Sequence, residues 1–379
     1  MSTAIDLKAF RRDLHAHPEI SGNEKETAKR VLAVLNTLKP DALLTELGGT
    51  GILATFGTDE IGPQVMVRCE LDALPIQEVN TFGHKSVNKG VSHKCGHDGH
   101  ATILTGLAEK LSNERPTKGR VHLLYQPAEE NGAGAEAVLK DPRMKDKHFD
   151  LALALHNLPG YKLGSAVVRK GAFTASVNSM VIALEGRTSH AAEPEHGDNP
   201  ALAVAEILTG ALALQHNVPT EDGLRVVTVV HVNLGTKDYG ISAGSAEVHL
   251  TVRCWTDAEL KKLEQDIEDL SRHVAKKHKL GVDIGYCFTF KANQNDDAAA
   301  DLVKAAVTST GHELIGRDHP FKWGEDFGLF TAKYKGCMFG LGSGEDMPAL
   351  HNPDYDFPDE LTPHGVELFE TAVRSFLKA

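Results

Sequence analysis

The chain has 379 residues, and 40 Lys+Arg against 52 Asp+Glu leave it a formal net charge of -12. Its length exceeds that of an ordinary single domain and predicts two, and 41% hydrophobic residues suffice for a sizeable core. The acidic balance, with no basic run, excludes nucleic acid and anionic membranes as partners, and no apolar stretch is long enough to span a bilayer. Residues 1–6 carry no basic segment leading into an apolar one, so no secretory leader is expected. The five cysteines (Cys69, Cys95, Cys254, Cys287 and Cys337) are odd in number and widely spaced, which predicts free thiols in a reducing, cytoplasmic compartment.

In chain order, Leu7, Phe10 and Leu14 fall at helical spacing between Asp6 and His15. A second helix is predicted from Glu24 to Leu38, with Ala28, Val31, Leu32 and Leu35 on one face. Ala42–Glu46 and Gly51–Phe56 read as short strands. Gln64–Arg68 reads as a buried strand, and Cys69-Glu70-Leu71-Asp72 follows it, at the strand end where open α/β sheets place their chemistry. Taken alone, Asp72 is a turn or cap residue.

The densest signal is His93-Lys94-Cys95-Gly96-His97-Asp98-Gly99-His100. Cys thiolate and His imidazole both ligate borderline-soft divalent metals, and the glycines let the backbone bend so that Cys95 and His97 meet. A helix is predicted from about Asp98 to Leu111, which puts the cluster at a helix N-terminus, where the dipole also helps keep Cys95 deprotonated. Next, Val121–Gln126 reads as a strand ending in Pro127-Ala128-Glu129-Glu130. Of two adjacent carboxylates, one can bind metal while the other serves as a general base. Asp150–Leu155 is another apolar run, tipped by His156-Asn157.

After Gly164 the pattern changes. Val177–Leu184 alternates like a half-exposed strand, a helix is expected from Pro200 to about His216, and Leu224–Leu234 and Ala246–Cys254 read as strands. Thr256–Lys277 is an amphipathic helix and Val282–Phe290 a last strand, so the stretch 171–291 reads β-α-β-β-α-β, a small sheet inserted into a larger domain. The larger domain resumes with a helix (Ala298–Thr310), the segment Gly324-Glu325-Asp326-Phe327, a short strand (Cys337–Gly342), the loop His351-Asn352-Pro353, and a terminal helix (Glu360–Leu377).

Eight segments carry a resemblance in a fixed order: residues 13–19 (Asp-Leu-His-Ala-His-Pro-Glu), 71–76 (Leu-Asp-Ala-Leu-Pro-Ile), 93–100, 126–130 (Gln-Pro-Ala-Glu-Glu), 155–157 (Leu-His-Asn), 189–192 (Ser-His-Ala-Ala), 324–327 and 351–353. Together they span nearly the whole chain, which resembles the M20 metallopeptidase family. The branch matched is the aminoacylase/amidohydrolase one, with its hippurate hydrolases, auxin-conjugate hydrolases and N-acetyl-diaminopimelate deacetylases. The resemblance implies an α/β protein of two domains. One is a zinc-peptidase-like mixed-sheet catalytic domain (1–170 and 292–379). The other is an inserted ferredoxin-like α+β lid/dimerisation domain (171–291).

It also implies that Cys95, His97, Glu130, His156 and His351 ligate two divalent metal ions (Zn, Mn, Co or Ni), with Cys95 able to bridge them. Glu129 is the implied general base, and Asp72, Asp98 and Asn352 are implied to support the ligands. His190 is implied to polarise the scissile carbonyl, often from the partner subunit of a homodimer. The implied reaction is hydrolysis of an N-acyl amino acid to a carboxylate and a free amino acid. Relatives read Ala-Ala-Met-Pro-His after the histidine matched by His190, whereas this chain has Glu193 and Glu195 in that loop. Gly240 stands where relatives carry an Asn before Ile-Pro. These departures point to a substrate that is positively charged or lacks a free carboxylate.

Overall fold

The computed structural model describes residues 4–58, 60–220 and 223–378; residues 1–3 of the stretch examined for a leader lie outside them. The chain opens with α1 (Leu7–Ala16), α2 (Lys25–Leu38), β1 (Ala42–Leu47), β2 (Gly51–Gly57), β3 (Gln64–Glu70), α3 (His97–Asn113), β4 (Arg120–Gln126), α4 (Gly134–Lys140), β5 (Leu151–Pro159), β6 (Ala166–Val167) and β7 (Gly171–Ala172). It continues with β8 (Ser176–Glu185), β9 (Ser189–His190), α5 (Ala201–Ala213), β10 (His216–Thr220), β11 (Gly223–Leu234), β12 (Ile241–Ser242), β13 (Ser245–Cys254), α6 (Asp257–Lys277) and β14 (Gly281–Phe290). Last come β15 (Gln294–Asn295), α7 (Asp297–Ser309), β16 (Leu314–Ile315), α8 (Gly328–Thr331), β17 (Gly336–Gly344) and α9 (Thr362–Lys378).

Two compact units result. The first comprises residues 4–173, 293–318 and 325–378, and the second residues 174–292 and 319–324. In the first unit an eight-stranded mixed sheet runs β1-β2-β4-β3-β5-β17-β6-β16. Its central strands β4, β3, β5 and β17 pair in parallel. They are buried at nearly every position, as parallel sheets covered on both faces must be. Leu104, Leu107 and Leu111 of α3, Phe369 and Val373 of α9 and Leu14 of α1 pack with strand residues such as Val67, Leu123 and Leu153 into one core. Because these four strands are parallel, their carboxyl ends lie along one edge. Glu70, Gln126 and His156 therefore stand near one another, each introducing a motif loop.

The second unit is a five-stranded antiparallel sheet, β10-β11-β13-β8-β14. The order β14-β8-β13-β11, with α5 after β8 and α6 after β13, is the ferredoxin-like arrangement. Met180, Ile182 and Leu184 alternate inward from β8 and pack against Ile207 of α5 and Leu263 and Ile267 of α6. A capping box of Thr256 and Glu259 starts α6. Two sequence expectations change here. The helix expected to reach His216 stops at Ala213, because His216–Thr220 turns back as an extra strand pairing with β11. The boundaries also shift. β7 pairs with β15 inside the first unit, while Ala175 N–H donates to the carbonyls of Phe321 (2.9 Å) and Trp323 (3.2 Å), drawing 319–324 into the second. Among the described residues no helix is long and apolar enough to cross a membrane.

Candidate active site

The site begins where the chain enters α3. Gly96 caps the helix with φ +94°, and a Cβ there would lie 2.5 Å from Asn157 Oδ1, so glycine is required twice over. The turn buries Cys95 and His97 side by side. His97 Nδ1–H donates to the Asp72 carbonyl oxygen at 2.9 Å and lies 3.3 Å from its carboxylate, which orients the ring and leaves Nε2 facing the site without a hydrogen-bond partner. His156, near the end of β5, donates through Nδ1 to the Asn157 carbonyl (2.9 Å) and sets Nε2 3.4 Å from Cys95 Sγ. Glu130 follows β4, and its backbone N–H donates to Asp72 Oδ2 at 2.9 Å. His351, in the loop after β17, brings Nε2 to 3.7 Å from Glu130 Oε2.

Cys95, His97 and His156 form one group whose ligand atoms lie within 4.8 Å of one another, and Cys95, Glu130 and His351 form a second. Cys95 belongs to both, while Glu129 joins His97 and Glu130 in a further group. His97 Nε2 and Glu130 Oε1 are buried without a hydrogen-bond partner, an unfavourable state that a cation relieves. One thiol, three imidazoles and a carboxylate suit borderline divalent metals, so the residues present fit a two-metal centre.

Burial, then the Glu130 and Glu129 carboxylates, push the Cys95 thiol well above its usual range. The dipole at the start of α3 works in the opposite direction with only about half a charge, so a thiolate here also needs a cation beside it. Burial raises Glu129 well above the carboxylate range, with Glu325 and Glu130 adding to it. Burial also lifts Glu130 to about 7 despite the opposing pull of His97. For His97 burial disfavours charge, but Asp72, Glu70 and Glu130 outweigh it and move the ring to about 10. His156 falls well below the usual value through burial and the neighbouring His100, and burial and His97 lower His351.

The three expected supporting residues fare differently. Asp72 touches both His97 and Glu130. Asp98 turns away from the ligands, accepting from His15 Nδ1 (2.8 Å) and Arg11 Nη1 (3.3 Å). Asn352 is exposed, and its backbone N–H closes a turn on the Ala349 carbonyl. Sequence reading assigned no role to two buried networks at the same strand ends. In one, Arg68 is fully buried and pairs with Glu70, with Glu325 (2.9 Å) and with Asp326 (2.6 Å), while Gln126 bonds both Arg68 and Asp326. In the other, His100 links Glu70 (2.6 Å) to Asn157 (2.5 Å), whose Nδ2 donates to the Tyr355 hydroxyl at 2.5 Å. The available signal was the acidic and amide residues closing β3, β4 and β5.

His190 belongs to the second unit, on the short ribbon β9–β12, opposite Ile241. It is exposed, and its Nδ1 accepts the Ala192 N–H at 3.1 Å, so the neutral ring carries its proton on Nε2. Glu193 and Glu195 are exposed beside it, and the Gly240 carbonyl accepts from Ala191 N–H (2.9 Å).

Comparison with known proteins places this arrangement. The chain is 30% identical over 356 residues to N-acetyldiaminopimelate deacetylase of Bacillus velezensis, covering 92% of this chain and 94% of the relative. It is 27% identical over 379 residues to hippurate hydrolase of Campylobacter jejuni, covering 98% and 97%. A crystal structure of a dinuclear metal binding peptidase from Bacillus subtilis superposes with a TM-score of 0.83 at 27% identity, covering 98% of each chain. Residues 66–375 match the model of peptidase family M20/M25/M40, a span running from β3 to α9 and so holding every ligand-type residue described above; the chain belongs to that family.

Proposed function

We propose that the first unit holds two divalent ions on Cys95, His97, Glu130, His156 and His351, and that Glu129 is the general base of an amidohydrolase acting on N-acyl amino acids. The observation that carries the reading is the sharing of Cys95 between two ligand groups, with a buried carboxylate, Glu129 Oε2, 3.9 Å from His97 Nε2. The protein is a metal-dependent hydrolase of linear amides, and its relatives are named for deacetylation and hippurate hydrolysis.

Bound cations supply an acidified water and a counter-charge for the amide oxygen. Glu129 takes the proton of the attacking water and passes it to the leaving amine nitrogen. Asp72 holds the His97 ring and the Glu130 backbone in place. His190, protonated on Nε2, donates to the scissile carbonyl as negative charge develops there. The products are a carboxylate and a free amino acid. Glu193 and Glu195 beside His190 select substrates that are cationic or lack a free carboxylate.

The second unit is the homodimerisation surface in this reading. Beyond Arg225 the outer edge of β11 has no strand on it among the described residues, and Val230 (62% exposed), Val232 and Leu234 stand open along it. A second copy pairing there closes that edge. Five free cysteines support a reducing, cytoplasmic setting.

The test is amine release from N-acetyl, N-benzoyl and indole-acetyl amino acids and from dipeptides. The protein is stripped and reloaded separately with Zn, Mn, Co and Ni, with Glu129→Ala as control. Metal-dependent release from acyl amino acids that disappears in the control is the expected result. Turnover of dipeptides alone refutes the substrate assignment.

A further inference from the structure

Among the five ligand residues His351 has the least support from its own surroundings. The loop that carries it contains no regular structure between β17 and the turn before α9, and its side chain is 52% exposed. Its backbone is in the left-handed region, φ +66°, which a side chain other than glycine rarely adopts unless the surroundings impose it. Its partner in the second ligand group, Cys95, sits on a rigid helix start more than 250 residues earlier in sequence. Something must register that loop against that helix.

Lys94 bonds the loop with both its backbone and its side chain. The Lys94 carbonyl accepts the His351 backbone N–H at 2.8 Å. Its ammonium reaches four residues further along the same loop and donates to the Tyr355 carbonyl at 2.7 Å. The side chain is fully buried, and its charge is met by Glu78 at 2.5 Å. Glu78 is itself fixed by His15 (3.0 Å) and the Ser86 N–H (2.6 Å). A buried ion pair is seldom more stabilising than apolar residues of the same volume, so a charge kept here points to a directional task.

We propose that Lys94 is a positioning residue that sets His351 at its distance from Cys95 and so assembles the second of the two metal subsites, made of Cys95, Glu130 and His351. This rests on the ligand assignment above. Lys94 touches none of the ligand atoms; it acts through the loop. The first subsite, Cys95 with His97 and His156, is held by α3, Asp72 and β5, and does not depend on it.

The test is titration of the metal-stripped full chain with Co²⁺, followed by calorimetry and by the thiolate-to-cobalt absorption that reports ions on Cys95. Wild type takes up two ions. Lys94→Met is expected to keep one at unchanged affinity, with the thiolate band, and to bind the other roughly 10- to 100-fold more weakly, the range found for groups that orient ligands. Should Lys94→Met fold poorly because Glu78 is left unpaired, the pair Lys94→Met with Glu78→Gln removes the buried charge, and the same selective loss is expected in a stable protein. Two ions bound as tightly as in wild type by either folded variant overturns the proposal. His351→Ala separates this from failure of the ligand assignment. If it loses the same ion while the Lys94 variants lose none, Lys94 alone is refuted. If it too keeps both ions, the assignment of His351 falls, and the role of Lys94 with it.

Discussion

The two units present their candidate site histidines in opposite ways. In the first, His97 and His156 are 0% and 4% exposed, and each has one ring nitrogen tied to a backbone carbonyl. In the second, His190 sits exposed on a two-residue ribbon, its Nδ1 accepting the Ala192 N–H. Buried imidazoles set beside a thiol and carboxylates have the chemistry that suits a cation. An exposed imidazole with a free N–H is built to meet something that arrives. The difference teaches that, if the proposed roles hold, binding metal and engaging substrate can be altered separately.

The sharpest break in that contrast is Cys95→Ala. Because both ligand groups include Cys95, uptake of both ions and all hydrolysis should be lost, while His190→Asn should still bind two ions in the same metal analysis. Glu129→Gln should follow in size. Two ions remain, but kcat for acyl release should fall by roughly 10²- to 10⁴-fold, the usual range for a lost general base. Retention of wild-type kcat would sink the assignment of Glu129. Arg68→Met tests the frame behind the ligands. It leaves Glu70, Glu325 and Asp326 buried without their cation and should cost about 3–5 kcal/mol in denaturant unfolding.

His190→Asn should lower kcat by roughly 10²- to 10³-fold, as expected for one donor to a developing oxyanion, with no change in Tm because the residue is exposed. A substantial fall in Tm would show that the contrast between the units is drawn too strongly. The smallest effect concerns pH. Burial disfavours a charged His15, yet Asp98, Glu78 and Asp356 outweigh it and raise the ring to about 9. A group raised in the folded state stabilises it fully below its unfolded value near 6.5, and that stabilisation is lost as pH rises through 9. Up to roughly 3 kcal/mol should disappear between those limits. His15→Gln should flatten the pH dependence of the unfolding midpoint in that window, and an unchanged slope would refute the attribution.

Much of the site was legible because its chemistry lies next to strong periodic signals. Apolar runs ending at Glu70, Gln126 and Leu155 announce strands, and a polar residue immediately past such a run has few structural reasons to be there. Asp98 shows where this reasoning stops. It is adjacent to His97, but successive residues on a helix point about 100° apart, so His97 faces the ligands while Asp98 faces Arg11 and His15 of α1. Arg68 was hidden for the opposite reason: one arginine in an apolar strand is informative only once its partners are known, and Glu325 and Asp326 lie more than 250 residues away.

By itself the sequence determined the element types, the inserted β-α-β-β-α-β unit, the family resemblance and the set of ligand-type residues, because these depend on local periodicity and on residue chemistry. Only the tertiary structure decided that Asp72 rather than Asp98 orients His97, and that Lys94 ties His351 to the helix start. Each of those facts is a relation between side chains far apart in the chain. Burial and distance set them, and neither quantity exists until the parallel strands have aligned their ends.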